Sequence, residues 1–353
     1  MTSTLAQKDT ALLQCLIAIP SFSKQEDQTA GCIAGFLREN DVDFQCLKNN
    51  VWAVNRYFDP QKPTILLNSH HDTVKPNASY TLDPFRPLVQ DGKLYGLGSN
   101  DAGGCLVSLL AVFLHFYGAP NLRYNFVLAA TAEEEISGRD GLEMLIPHLP
   151  PLDFAIVGEP TQMQMAIAEK GLMVVDCTAR GKAGHAAREE GENAIYKALR
   201  DIDWIRNYRF AEVSEMLGPV KMSVTIIQAG SQHNVVPDVC TFTIDVRTTD
   251  KHSNEDVLNV LKANLLSEIN PRSVRLTPSS IPPEHPVVQA GKTLGLTTYG
   301  SPTTSDQALL SVPSLKMGPG NSARSHSADE FIYLDEIEQG IGTYIAVLNA
   351  IVL

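Results

Sequence analysis

Thr64-Ile-Leu-Leu-Asn-Ser-His-His-Asp-Thr73 reads as an apolar strand that runs into a set of polar groups. The arrangement returns along the chain. Apolar runs end in Asn100-Asp101, in Glu133-Glu134-Glu135 and in Gly158-Glu159, and the last precedes the loop that holds His326. Carboxylates and imidazoles placed where strands run out are the usual way an α/β protein builds a metal site at one edge of its sheet.

Outward from that stretch, helical and extended patterns alternate. Apolar periodicity predicts helices over 5–18 and 28–40, strands over 51–57 and 64–69, and a buried helix over 104–117. A strand over 123–130, a helix over 138–146 and a wholly apolar strand over 154–157 follow. Continuous apolar strands alternating with helices predict a largely parallel, helix-covered sheet. The pattern then changes to a long alternating strand over 170–180, a helix over 193–208 and strands over 221–229 and 239–247. A helix over 254–266 and a strand near 273–276 complete β-α-β-β-α-β, the ferredoxin-like order. Pro282-Pro283 marks a return to α/β character, with a strand over 315–317 and a final helix over 334–348. The expected organisation is an α+β domain of 169–281 inserted into an α/β domain of 1–168 plus 282–353.

The 353 residues and 44% apolar content suffice for two cores. Net charge is 28 − 40 = −12, which argues against a nucleic-acid surface and suits cations and zwitterionic small molecules. Six cysteines, scattered and without a CxxC pair, read mostly as buried reduced thiols. The apolar segment 11–19 is too short to span a bilayer and has no basic region before it or small-residue cleavage site. A soluble, cytoplasmic protein is expected.

Within the polar strand ends, His70 and Asp72 are two residues apart and share a face if the strand geometry persists, so Asp72 can orient a metal-bound His70 imidazole. His71 faces the other way. Asp101 follows Gly96 and Gly98, glycines that let backbone crowd a small site, and its two oxygens suit bridging two cations. That glycine pattern lacks the third-glycine spacing of a dinucleotide site. Three adjacent glutamates after Val127-Leu-Ala-Ala-Thr131 repel one another unless cations neutralise them. Neighbouring glutamates also allow one to coordinate while the next activates water. His115, His148, His252 and His285 read as structural.

Taken together, Leu16-Ile-Ala-Ile-Pro-Ser-Phe-Ser-Lys-Gln-Glu26, Ser69-His-His-Asp-Thr-Val74, Leu94-Tyr-Gly-Leu-Gly-Ser-Asn-Asp101 and Thr131-Ala-Glu-Glu-Glu135 form an ordered series. Ile156-Val-Gly-Glu-Pro-Thr161, Gly184-His185, Asn234-Val-Val-Pro237 and His326 continue it. Over essentially its whole length the chain resembles the M20 family of co-catalytic zinc hydrolases. The resemblance implies that His70 and Glu159 hold one zinc, that Glu135 and His326 hold the other, and that Asp101 bridges them. It gives Glu134 as general base and Asp72 as the orienter of His70. It makes the insertion a lid and dimerisation domain, in which His185 reaches a neighbouring subunit's site to polarise the scissile carbonyl. Asn234 and Arg247 resemble substrate-binding lid residues, Arg247 through a planar fork suited to a carboxylate. Two departures are the Glu-Glu-Glu run, where many members have Asp-Glu-Glu, and the loop bearing Lys316 and Asn321.

The implied activity is metal-dependent hydrolysis of a linear amide, removing an acyl group from an amino acid. Within the family the sequence looks nearest to the branch acting on acylated ornithine, citrulline or lysine. N-acetylornithine, in arginine biosynthesis, is the expected substrate. Desuccinylation of diaminopimelate or another N-succinyl amino acid, deacetylation of N-acetylcitrulline and cleavage of a short peptide are the alternatives. Two Zn2+ are the expected cofactors, with Co2+ or Mn2+ as substitutes, and a homodimer formed through the lid is the expected assembly.

Overall fold

The computed structural model describes residues 2–353, with side chains from residue 8 onward, and divides into two compact units. The first comprises Met1–Ile167, Ser280–Tyr299 and Ser305–Leu353; the second comprises Ala168–Ser279 and Gly300–Thr304. The five residues Gly300–Thr304 thus group with the insertion rather than with the flanking chain, because Thr304 Oγ1 and Ser301 carbonyl hydrogen-bond the Lys170 backbone.

In the first unit the central strands run Phe44–Leu47, Asn50–Val54, Asn125–Thr131, Thr64–His70, Phe154–Val157 and Ser314–Lys316 in spatial order. The last four are mutually parallel and the first two antiparallel. Thr64–His70 and Asn125–Thr131 are buried at every position, which is why they read as unbroken apolar runs rather than alternating ones. Helices Gly104–Tyr117, Thr2–Ile17 and Leu334–Val352 pack together on the sheet and share its main core. The one stretch among the described residues long and apolar enough to cross a bilayer, Ser99–Tyr117, is buried in that core. Gly158 lets the Phe154–Val157 strand leave the sheet against this layer: a Cβ there would meet Leu109 Cδ1 at 2.8 Å and Ser69 Cβ at 3.0 Å.

The second unit carries the ferredoxin-like order. Its antiparallel sheet runs Lys221–Ala229, Val239–Thr248, Gly171–Arg180 and Glu268–Pro271, with helices Ala194–Asn207 and Asn254–Asn264 burying their apolar residues on it. Period-2 burial along Gly171–Arg180 shows a sheet covered on one face only.

Three local expectations are corrected. The helix expected over 138–146 is confined to Leu142–Leu145, with a 3-10 turn at Ile146–His148. Gly141 is non-helical (φ −90°, ψ −133°), and a side chain there would strike the Ala132 carbonyl, so the preceding residues follow the glutamate turn instead of coiling. The last strand of the insertion lies at Glu268–Pro271 rather than near 273–276. Pro271 has no N–H to continue the ladder, and pairing resumes only as a single bridge from Leu276 to Leu172. Among the cysteines, all free, Cys105, Cys177 and Cys240 are buried, but Cys15 and Cys46 are exposed.

Candidate metal centre

The parallel register puts His70, the last residue of its strand, directly beside Thr131, the last of the next. Chain leaving Thr131 therefore turns into the space in front of His70. Glu133 adopts a left-handed φ of 58°, and its carboxylate turns back to accept the Asp140 N–H. Glu134 and Glu135 follow in a short 3-10 turn. One strand further along, Phe154–Val157 delivers Glu159 through Gly158, whose N–H donates to the Asn68 carbonyl at 2.7 Å. Asp101 arrives on the irregular turn Ser99–Gly103 ahead of the core helix, and His326 on a loop where it too has left-handed φ. Every one of these groups sits beyond the C-terminal ends of parallel strands, the usual ligand position of an open α/β sheet.

Two sets of donors converge there, each with its ligand atoms within 4.8 Å of one another: His70, Asp101 and Glu159, and Asp101, Glu135 and His326. Asp101 belongs to both. Its Oδ1 lies 3.5 Å from His70 Nε2 and its Oδ2 lies 3.6 Å from His326 Nε2. His326 Nε2 is also 3.0 Å from Glu135 Oε2. Glu134 belongs to neither set, yet its Oε2 is 3.9 Å from His70 Nε2.

Asp72 organises the floor. His70 Nδ1 is 3.0 Å from the Asp72 carbonyl and 3.4 Å from its carboxylate, so the backbone oxygen is the nearer acceptor for the ring N–H. The carboxylate instead receives the N–H groups of Glu134 and Glu135, at 3.0 and 3.2 Å, and the Ser23 hydroxyl at 2.7 Å. One residue thereby fixes the imidazole through its carbonyl and the turn carrying the two glutamates through its carboxylate. His71 points away, held by Thr29 Oγ1 and the Asn49 carbonyl, and burial drops it to about 4, a neutral ring.

The electrostatics are those of a cation site. Burial opposes a charge on His70, but Asp101, Asp72 and Glu134 outweigh it and hold the imidazole well above its ordinary value. Burial likewise works against ionised Asp72 and Asp101, and His70 overrides it, keeping both below the usual carboxylate range. Glu134 goes the other way: burial, and then Glu159, Asp306 and Glu135, push it well up against the pull of His70. Glu135 raises His326 to about 9. Among the described residues His70 Nε2 is buried without a hydrogen-bond partner, although its other nitrogen is held. A buried, oriented imidazole nitrogen with nothing to bond, facing carboxylates that repel one another, fits a divalent cation.

Sequence reasoning did not single out two buried acids that belong to this neighbourhood. Asp306 accepts the Thr131 hydroxyl at 2.9 Å, and burial raises it to about 6. Glu330, 1% exposed, accepts three backbone N–H groups of the Asp101 turn. Neither follows an apolar run, so the strand-end signal passes them over. An acid four residues after a candidate ligand was the available clue to Glu330.

His185, Asn234 and Arg247 lie in the second unit. His185 is exposed on the two-residue strand Gly184–His185, its Nδ1 accepting the Ala187 N–H. Asn234, also exposed, accepts the Ala186 N–H through its carbonyl. Arg247 donates through both arms of its fork to Asp245 and through Nη1 to Thr304.

Residues 66–350 match peptidase family M20/M25/M40. The chain is 30% identical to an acetylornithine deacetylase of Klebsiella pneumoniae over 91% of its own length and 92% of that protein's. It is 26% identical to a succinyl-diaminopimelate desuccinylase of Buchnera aphidicola, over 72% and 73% of the two chains. Its fold is that of an M20 family metallo-carboxypeptidase from Sulfolobus solfataricus, with a TM-score of 0.78 at 18% identity, covering 96% of this chain and 98% of that one. A match running from the His70 strand almost to the end of the final helix leaves one conclusion: the chain belongs to peptidase family M20/M25/M40 and is a metal-dependent amide hydrolase.

Proposed function

We propose that the protein removes an acyl group from the α-nitrogen of an amino acid, with two Zn2+ as cofactors and N-acetylornithine as its substrate, a step of arginine biosynthesis. The observation that carries this reading is the sharing of Asp101 by two donor sets while Glu134, beside them, belongs to neither. His70 and Glu159 would hold one ion, Glu135 and His326 the other, and Asp101 both; cobalt or manganese would suit the same donors. When bound, two such ions supply Lewis acidity, polarising a carbonyl and acidifying water.

Glu134 takes the proton of the attacking water at its carboxylate and returns it to the leaving nitrogen as the amide C–N bond breaks. Water and amide become a carboxylic acid and an amine, which ionise to carboxylate and ammonium by passing the acid's proton to the amine, and Glu134 ends as it began. His185 donates to the developing oxyanion from the neighbouring subunit. Asn234 and Arg247 bind the amino-acid portion, for which Arg247 must exchange Asp245 for the substrate carboxylate. A homodimer through the second unit is supported by exposed Tyr196 and Leu199 on its first helix and exposed Ile226 and Ile227 on its edge strand.

A second reading, desuccinylation of an amino acid such as succinyl-diaminopimelate, is favoured by the similarity to desuccinylases as well as deacetylases. The test is a panel of acetylornithine, acetylcitrulline, succinylornithine, succinyl-diaminopimelate and a dipeptide, assayed with metal-loaded and metal-stripped protein. Highest kcat/KM on acetylornithine, lost with the metal, is expected. A preference for the succinyl compounds would move the reading to desuccinylation, and hydrolysis of the dipeptide alone would move it to a peptidase.

A further inference from the structure

Asp101 can serve two cations only if its carboxylate is held between them, and the turn that carries it is irregular: Asp101 and Ala102 leave helical φ/ψ. What holds the turn comes from elsewhere in the chain. Glu330 Oε1 accepts the N–H groups of Asn100 at 2.8 Å and of Asp101 itself at 2.9 Å, while Oε2 accepts that of Gly98 at 3.2 Å. Two successive amides converging on one oxygen fix the peptide planes on either side of Asn100, and with them the Cα from which the Asp101 side chain departs.

Glu330 is itself well anchored. It precedes the Phe331–Tyr333 strand, which pairs with Lys93–Tyr95 just before the turn, and its carbonyl accepts the Gly96 N–H at 3.0 Å. The adjacent Asp329 accepts the backbone N–H groups of Thr81 and Leu82, both at 2.9 Å. One loop therefore presents His326 at its start and the clamp on Asp101 at its end. Buried acids without a counter-cation are uncommon, and this one spends both oxygens on amides of a turn that bears a ligand.

We propose that Glu330 is a positioning residue that sets the reach of Asp101 to both cations, an inference that rests on the metal-centre reading above. Its shape can be kept while its bonding is altered. Glu330→Gln retains one carbonyl oxygen for Asn100 and Asp101 but turns an NH2 group toward the Gly98 N–H. Glu330→Asp keeps the carboxyl group and shortens the reach by one methylene.

The experiment titrates full-length, metal-stripped protein with Co2+ and records stoichiometry, affinity and the visible d–d absorption, alongside the metal-free melting temperature. Wild type should bind two ions per chain. Glu330→Gln should weaken at least one ion about tenfold to a hundredfold and change the d–d bands, with Glu330→Asp between the two. Unchanged affinities and bands in folded Glu330→Gln protein, even at a lower melting temperature, would make the residue merely structural and overturn the proposal. So would failure of both variants to fold. Wild type binding no metal would instead overturn the metal-centre reading and this inference with it.

Discussion

Replacing Glu134 by Gln separates catalysis from coordination, because the structure gives this residue a place beside the metal donors but not among them. The substitution keeps the side chain's volume, and the residue's backbone N–H still donates to Asp72 at 3.0 Å, so the turn should keep its shape. An amide cannot take a proton from water. General-base catalysis contributes about 10²–10⁴-fold, which at 1.36 kcal/mol per decade is about 3–5 kcal/mol of transition-state stabilisation. The metal-free variant should melt no lower than wild type, since burial and the carboxylates of Glu159, Asp306 and Glu135 already work against the Glu134 charge. The assay pairs elemental metal content with kcat on the best N-acyl amino acid, using protein loaded with the same ion. Two ions retained with kcat down by at least a hundredfold is the expected outcome. Loss of metal in step with activity would make Glu134 a ligand and shift the assignment of Glu135 by one residue. A kcat within tenfold of wild type would remove Glu134 from the proton transfer altogether.

Two further predictions concern stability. Asp9 is fully buried, its oxygens have no hydrogen-bond partner among the described residues, and burial lifts its carboxyl from 3.8 to about 8. The folded state then holds a proton that the unfolded chain releases. Its contribution is present below pH 4 and is lost as pH rises to 8, at up to about 1.4 kcal/mol per pH unit. Asp9→Asn should flatten that slope in urea unfolding measured between pH 5 and pH 8; parallel curves for the two proteins would refute it. Asp201 in the second unit is buried and accepts the N–H groups of Leu266 and Ser267 and the Ser267 hydroxyl. Asp201→Ala should cost about 3 kcal/mol in the urea unfolding of that unit, because it strands buried donors, and a change under 1 kcal/mol would refute this.

The sequence discloses this site unevenly, for physical reasons. A parallel strand buried on both faces is apolar through its middle, so the polar groups gathered at its end stand out; His70, Glu134, Glu135 and Glu159 all announce themselves in this way. Asp306 and Glu330 do not. Their importance lies in which amides and hydroxyls they meet, and those partners are far away in sequence: Thr131 for one, Gly98 to Asp101 for the other. The same limit explains the shortened helix after the glutamates. Its residues carry helical periodicity, but Gly141 packs against the Ala132 carbonyl, a contact that no local pattern encodes.

The ligands come from the ends of separate strands and from a late loop, and His70 and His326 are 326 − 70 = 256 positions apart. No contiguous fragment of the first unit holds a complete set, and the unfolded chain offers only scattered single donors. Cations at this centre therefore bind the folded protein almost exclusively, and their binding energy adds to folding as RT ln(1 + [L]/Kd). Thermal and protease resistance should consequently track metal supply, which makes resistance to digestion a gauge of how much of the protein in a cell carries its ions.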